Sequence, residues 1–141
     1  MQVLYTASAR APGDGRDGPV RTSDGTVELD LAVPKEMGGA GGAANPEQLF
    51  AAGYAACFHS ALRVVARQAK ADVSGSVVEA EVGIGPNGSG GYGLAVTLVV
   101  DLPAVERAAA EQLVDAAHQV CPYSNATRGN VEVTRTVREA L

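Results

Sequence analysis

Apolar and polar residues alternate over several stretches of this chain, and between them the apolar positions recur every three or four residues. QVLYTASA puts Val3, Tyr5, Ala7 and Ala9 on one side, the period of two that predicts a strand. RTSDGTVELDLAV reads as two short strands joined by a hairpin turn at Asp24-Gly25. VVEAEVGI alternates Val78, Ala80, Val82 and Ile84, and YGLAVTLVV alternates Tyr92, Leu94, Val96, Leu98 and Val100. GPNGSGG between them predicts a loose hairpin loop, and NVEVTRTV closes the chain as a further strand.

The helical period begins at Asn45. Asn45 suits an N-cap, Pro46 the first helical position, and Gln48 completes a capping box. Phe50, Tyr54, Cys57, Ala61, Val64 and Val65 then fall on one stripe, with His59, Arg63, Arg67 and Lys70 opposite. Gly53 marks a weak point where this helix could bend or break. A second helix is predicted from about Pro103 to Val120, with Val105, Ala109, Leu113, Ala116 and Val120 inward. Cys121-Pro122 interrupts it, and a short turn follows that ends at Gly129. PGDGRDGP, residues 12–19, is a turn cluster, and PKEMGGAGGAANP, residues 34–46, a Gly-rich lid or connector. Strands, helix, strands, helix, strand: this order predicts an α+β fold in layers, as one domain over residues 1–141.

Composition narrows the function classes. Aromatic residues are 4% of the chain, so the core is expected to draw on a partner subunit. The formal net charge of -5 argues against a nucleic-acid partner, which needs a basic face. MQVLYTASAR has no basic segment before an apolar run, and no apolar stretch is read as approaching the ~20 residues of a membrane span. A cytoplasmic protein is the expectation, and there two cysteines point to working thiols or inert core residues rather than a permanent staple.

Cys57 lies in AAGYAACFHSA and Cys121 in HQVCPYSNATRGN. The simplest reading of a lone cysteine on an apolar stripe is packing. A zinc site would need Cys57, His59, His118 and Cys121 together, yet Cys57 and His59 point about 200° apart on a helix. The third reading is thiol chemistry, which needs a cation to favour the thiolate and a second thiol to resolve the oxidised product. Arg16, set in the turn GDGRDG, is the candidate cation, with Glu47 as its carboxylate. Equally, Arg16 reads as a solvated loop residue and Glu47 as a partner for the helix macrodipole.

GRDG, then GGAGG followed by NPEQLFAAGYAACF, then AAHQVCPYSNATRGN resemble the organic hydroperoxide resistance (Ohr) proteins of the Ohr/OsmC family. The likeness runs over essentially the whole chain, and PYSNATRGN favours the Ohr branch over the OsmC branch. It implies antiparallel sheets packed around central helices in an intertwined homodimer with two active sites. It implies a thiol peroxidase that reduces organic or fatty-acid hydroperoxides to alcohols. Cys57 matches the peroxidatic cysteine, Cys121 the resolving one, Arg16 the arginine at the reactive sulfur, and Glu47 the carboxylate that holds it. No metal or bound cofactor is implied, and reducing equivalents come from dihydrolipoyl groups on a lipoylated protein. His59-Ser60 departs from the smaller or more apolar residues expected after ACF. The rival readings are an OsmC-branch peroxidase of different substrate range and a redox sensor that does not turn over.

Overall fold

The computed structural model describes residues 1–139. Its strands and α-helices are, in order, β1 (Ala9–Arg10), β2 (Pro19–Thr22), β3 (Glu28–Asp30), α1 (Pro46–Gln68), β4 (Val77–Pro86), β5 (Tyr92–Asp101), α2 (Arg107–Val120), α3 (Pro122–Thr127) and β6 (Glu132–Val137). The chain divides into two compact units, Met1–Leu49 and the remainder from Phe50, so that α1 begins in one and continues in the other.

In the first unit β2 pairs antiparallel with β1 and with β3. The β2–β3 turn is the one expected at Asp24-Gly25. Asp24 Oδ1 accepts from the Thr22 hydroxyl at 2.7 Å and from the amide and hydroxyl of Thr26 at 3.0 and 2.8 Å. These bonds hold the Asp24 carboxyl down at about 2. The strand expected over QVLYTASA forms only at its end: residues 1–8 take no regular structure, and Val3, Leu4 and Tyr5 are exposed. Alternation is a local pattern, whereas a strand also needs a neighbouring edge to satisfy its backbone. Within this chain Ala9–Arg10 finds that edge, opposite Thr22 and Arg21.

The Gly-rich segment is a compact turn. The Pro34 carbonyl accepts from the amides of Met37 and Gly39 at 3.0 and 3.1 Å, and the Val33 carbonyl from Gly41 at 3.0 Å. At Gly39 an added Cβ would stand 2.1 Å from the Val33 carbonyl oxygen, so a side chain there would prevent the chain from doubling back.

In the second unit β4 and β5 form an antiparallel hairpin from Val77↔Asp101 to Pro86↔Tyr92. β6 joins β5 in parallel, from Ala95↔Glu132 to Val100↔Val137, an exception to the antiparallel arrangement expected throughout. A parallel neighbour needs a long crossover, which α2 and α3 supply. The core gathers Val96, Leu98 and Val100 of β5 with Tyr54, Phe58, Leu62 and Ala66 of α1 and Ala110, Leu113, Val114 and Ala117 of α2.

α1 starts where the capping box predicts. Asn45 Oδ1 accepts from the Gln48 amide at 2.9 Å, and Gln48 Oε1 accepts from the Asn45 amide at 3.1 Å. Its buried stripe includes Phe58 and Leu62 and leaves Val64 exposed, a small rotation from the expected one. The helix runs unbroken through Gly53. With 23 residues it is long and apolar enough, by length and composition alone, to cross a membrane, contrary to the sequence expectation. A core helix satisfies the same criterion, and Tyr54, Phe58, Leu62 and Ala66 are buried in this core. α2 starts later than expected because the Glu106 carboxylate caps it, accepting from the Ala108 amide at 3.1 Å. Its inward face is Ala110, Leu113, Val114, Ala117 and His118, with Val120 exposed. Alanines on several sides of the helix leave its rotation ambiguous in the sequence.

Candidate active site

Both cysteines belong to the second unit. Cys57 sits in the middle of α1, one turn beyond Tyr54, and is half-buried. Cys121 is the residue between α2 and α3, where Pro122 ends one helix and opens the next, and it is fully buried. Both thiols are free, and the Cys121 thiol is directed at the Cys57 sulfur with Sγ–Sγ 3.7 Å. Burial pushes the Cys57 thiol up from its ordinary value. A hydrogen bond from the backbone N–H of Tyr123 works in the other direction, and the neighbouring Cys121 adds to the rise.

Arg16 and Glu47 belong to the first unit. Arg16 lies on a short 3₁₀ turn, Gly15–Asp17, and Glu47 in the first turn of α1. They form a two-pronged ion pair: Nη1 donates to Oε2 at 2.9 Å and Nη2 to Oε1 at 2.7 Å. The Arg16 side chain is 39% exposed and that of Glu47 11%. Each steadies the other's charge: the Glu47 bond raises Arg16, and the Arg16 bond holds the Glu47 carboxyl below its ordinary value. The structure thus brings the four candidates together as two pairs, one in each unit.

The two histidines considered for a metal take hydroxyl partners. His59 Nε2 is 2.8 Å from Ser76 Oγ, and His118 Nδ1 is 2.8 Å from Ser124 Oγ. The second contact belongs to a buried network that the sequence did not reveal. Ser124 Oγ is also 2.8 Å from the Tyr54 hydroxyl, which lies 3.2 Å from Thr127 Oγ1. Tyr54 and Ser124 are fully buried, and His118 and Thr127 nearly so. Arg128 closes this corner by donating to the His118 carbonyl and, at 2.9 Å, to Asn125 Oδ1. The signal that would have found the network is faint. Ser124 and Thr127 stand three and six residues after Cys121, polar positions facing one way on a short helix.

Phe50, Tyr54 and Tyr123 form an aromatic cluster. Tyr123 stands 6.0 Å from Phe50 and 5.7 Å from Tyr54, ring centre to ring centre. Its ring lies over Gly53, where a Cβ would come 2.8 Å from the Tyr123 hydroxyl. Gly53 is therefore a platform for Tyr123 rather than a bend. Tyr54 and Phe58 are both core residues at 0% exposure.

The OsmC family, described as OsmC-like protein, matches residues 39–136. An organic hydroperoxide resistance protein of Xanthomonas axonopodis pv. citri is 53% identical over 138 residues, covering 96% of each chain. The chain belongs to the Ohr/OsmC family. The crystal structure of an organic hydroperoxide resistance protein from Legionella pneumophila superimposes with a TM-score of 0.93 at 50% identity, covering 98% of this chain and 100% of that one. A Vibrio cholerae relative, 54% identical with a TM-score of 0.92, covers 99% of this chain and 96% of that one. It is a putative organic hydroperoxide resistance protein with captopril bound in one of its active sites. The α+β fold of the Ohr/OsmC family expected from the sequence is the fold observed.

Proposed function

We propose that this chain is a cysteine-based peroxidase that reduces organic hydroperoxides to alcohols. The observation that carries the reading is the approach of two free thiols, 3.7 Å apart, from a helix and from a break between helices. The names of its relatives supply the substrate class. In the first step the Cys57 thiolate attacks one peroxide oxygen. An S–O bond forms, the O–O bond breaks, and the alkoxide leaves as the alcohol after taking a proton. Cys57 is oxidised to a sulfenic acid and the peroxide is reduced. In the second step the Cys121 sulfur attacks Cys57; the S–S bond forms and the sulfenic oxygen leaves as water. An external dithiol then reduces the disulfide by exchange and is itself oxidised.

Burial raises the Cys57 thiol, so the first step needs a group that favours the thiolate. We assign that role to Arg16, which also stabilises charge on the departing oxygen, and to Glu47 the role of holding Arg16. Both assignments come from the resemblance. The two-pronged ion pair supports the second, since it fixes the guanidinium plane. The same resemblance suggests dihydrolipoyl groups of a lipoylated protein as reductant, a homodimer, and the cytoplasm as location. The exposed Val3, Leu4 and Tyr5 support a homodimer by offering an apolar edge for a second copy. A monomer in light scattering would remove that part.

The test is consumption of an organic hydroperoxide with dihydrolipoamide in excess. The intact chain turns over many equivalents, and Cys57→Ser none. Cys121→Ser reacts once and accumulates sulfenic or overoxidised Cys57 in the mass spectrum. An intact chain that consumes about one equivalent is a sensor rather than an enzyme, and a Cys121→Ser chain that turns over normally overturns the division of roles.

A further inference from the structure

Two contacts span the same pair of backbone segments. α1 supplies Tyr54 and, three residues later, Cys57; the α3 segment supplies Cys121 and, three residues later, Ser124. Three residues on a helix bring side chains onto one face. The S–S approach at 3.7 Å and the Tyr54–Ser124 hydroxyl contact at 2.8 Å are therefore neighbouring rungs between one helix and the next. The first rung changes during the reaction and the second does not.

We propose that the Tyr54–Ser124 hydrogen bond sets the distance across which Cys121 resolves oxidised Cys57, which makes Tyr54 and Ser124 positioning residues for the second chemical step. The inference rests on the peroxidase reading above. Forming a disulfide requires the sulfurs to close to ~2.05 Å, an approach of roughly 1.7 Å from where they stand. Such a step is governed by how often the two atoms are held in line, and small displacements are costly in rate. Tyr54 is suited to fix the separation. Its ring is immobilised in the core, and its hydroxyl has Ser124 on one side and Thr127 on the other. Ser124 is held in turn by His118 of α2, so all three helices meet at one hydroxyl. Bulk solvent does not reach Tyr54 and Ser124, which are both fully buried.

The Tyr54 and Ser124 hydroxyls are neutral and bond each other rather than either sulfur, so their effect falls on resolution. Resolution is unimolecular and overoxidation scales with peroxide, so the two compete in a ratio that peroxide concentration reveals. Tyr54→Phe and Ser124→Ala each remove one hydroxyl without adding bulk. For each, single-turnover stopped flow should show the peroxide-independent step slowed by about tenfold or more. The peroxide concentration giving half-overoxidation in the mass spectrum should fall by the same factor. The double variant should be no slower than the slower single one, because both delete one shared bond. Equilibration with dihydrolipoamide should show the disulfide more easily reduced, since the dithiol form is no longer pre-aligned. A merely structural role lowers the melting temperature and leaves the partition unchanged, and that result overturns the proposal, as does an additive double variant. If Tyr54→Phe does not fold, Ser124→Ala carries the same measurements. An intact chain that forms no disulfide with peroxide defeats the peroxidase reading itself, an outcome distinct from intact-like partition in the variants.

Discussion

The first 49 residues and the rest of the chain are held together by different means. Among the described residues, Leu31 is the only large apolar side chain of Met1–Leu49 that is buried, whereas the second unit has a continuous core across two helices and a sheet. The first unit relies on short ladders, the Asp24 turn and the Arg16–Glu47 pair. Its candidate chemistry is a permanent charge in a part-exposed ion pair, and that of the second is two thiols in apolar surroundings. A guanidinium keeps its charge whether wet or dry, so it needs little shelter. A thiol's reactivity and lifetime depend on what excludes water and on what stands beside it, and those conditions need a core.

The strongest way to break this comparison is Arg16→Ala. Losing a part-exposed pair is expected to cost at most about 1 kcal/mol, so the melting temperature should move little. The rate with an organic hydroperoxide at neutral pH should fall by about a hundredfold, the scale of a deleted charge stabiliser. Raising the pH should recover part of that loss, because burial holds the Cys57 thiol high and more thiolate forms as pH rises. Glu47→Ala should lose less. An unchanged pH–rate profile in Arg16→Ala would return Arg16 to the solvated loop.

Gly53→Ala tests the second unit in the opposite sense, through stability. The new methyl would meet the Tyr123 ring, with 2.8 Å to its hydroxyl. Overpacking of this kind costs about 1–3 kcal/mol, read as a drop in melting temperature, unless the ring swings out into solvent. A variant as stable as the parent with unchanged tyrosine fluorescence would show that the contact is slack.

The smallest effect concerns acid. Burial holds His118 below its ordinary value, and the charges of Arg135 on β6 and of Arg128 lower it further, with Asp115 of α2 opposing them. The unfolded chain binds a proton near pH ~6.5 while the folded chain resists it. Stability should therefore be unaffected by this residue above that pH and decline as pH falls below it toward the folded value. His118→Asn should flatten that limb of the stability curve, and an unflattened limb would assign the acid sensitivity elsewhere.

What the sequence showed and what it hid follow one physical distinction. The start of α1 was legible because a capping box is settled by residues three apart, and the Asp24 hairpin likewise. The rotation of α2 was not, since alanines leave its apolar face broad, nor was the fate of Val3 and Tyr5, which turns on whether an edge strand is there to receive them. In the site, family motifs marked Cys57, Cys121, Arg16 and Glu47 as candidates. The Tyr54–Ser124–His118 corner stayed hidden because its members come from three helices, with Tyr54 and Ser124 separated by 70 positions. Their residue types have commonplace uses when taken singly.

The parallel pairing of β6 with β5 has a consequence for how the two thiols come together. Cys121 is carried on the crossover between two strands whose ladder joins Ala95 to Glu132, a closure over a long loop. Such closures are the slow part of folding, because chain entropy is lost before the contacts repay it. Cys57 on α1 and the β4–β5 hairpin precede that crossover in the chain, and β6 follows it. The 3.7 Å approach of the two thiols therefore joins a helix that precedes the hairpin to a segment that must cross back over it, so the pair reports on long-range closure rather than on local structure.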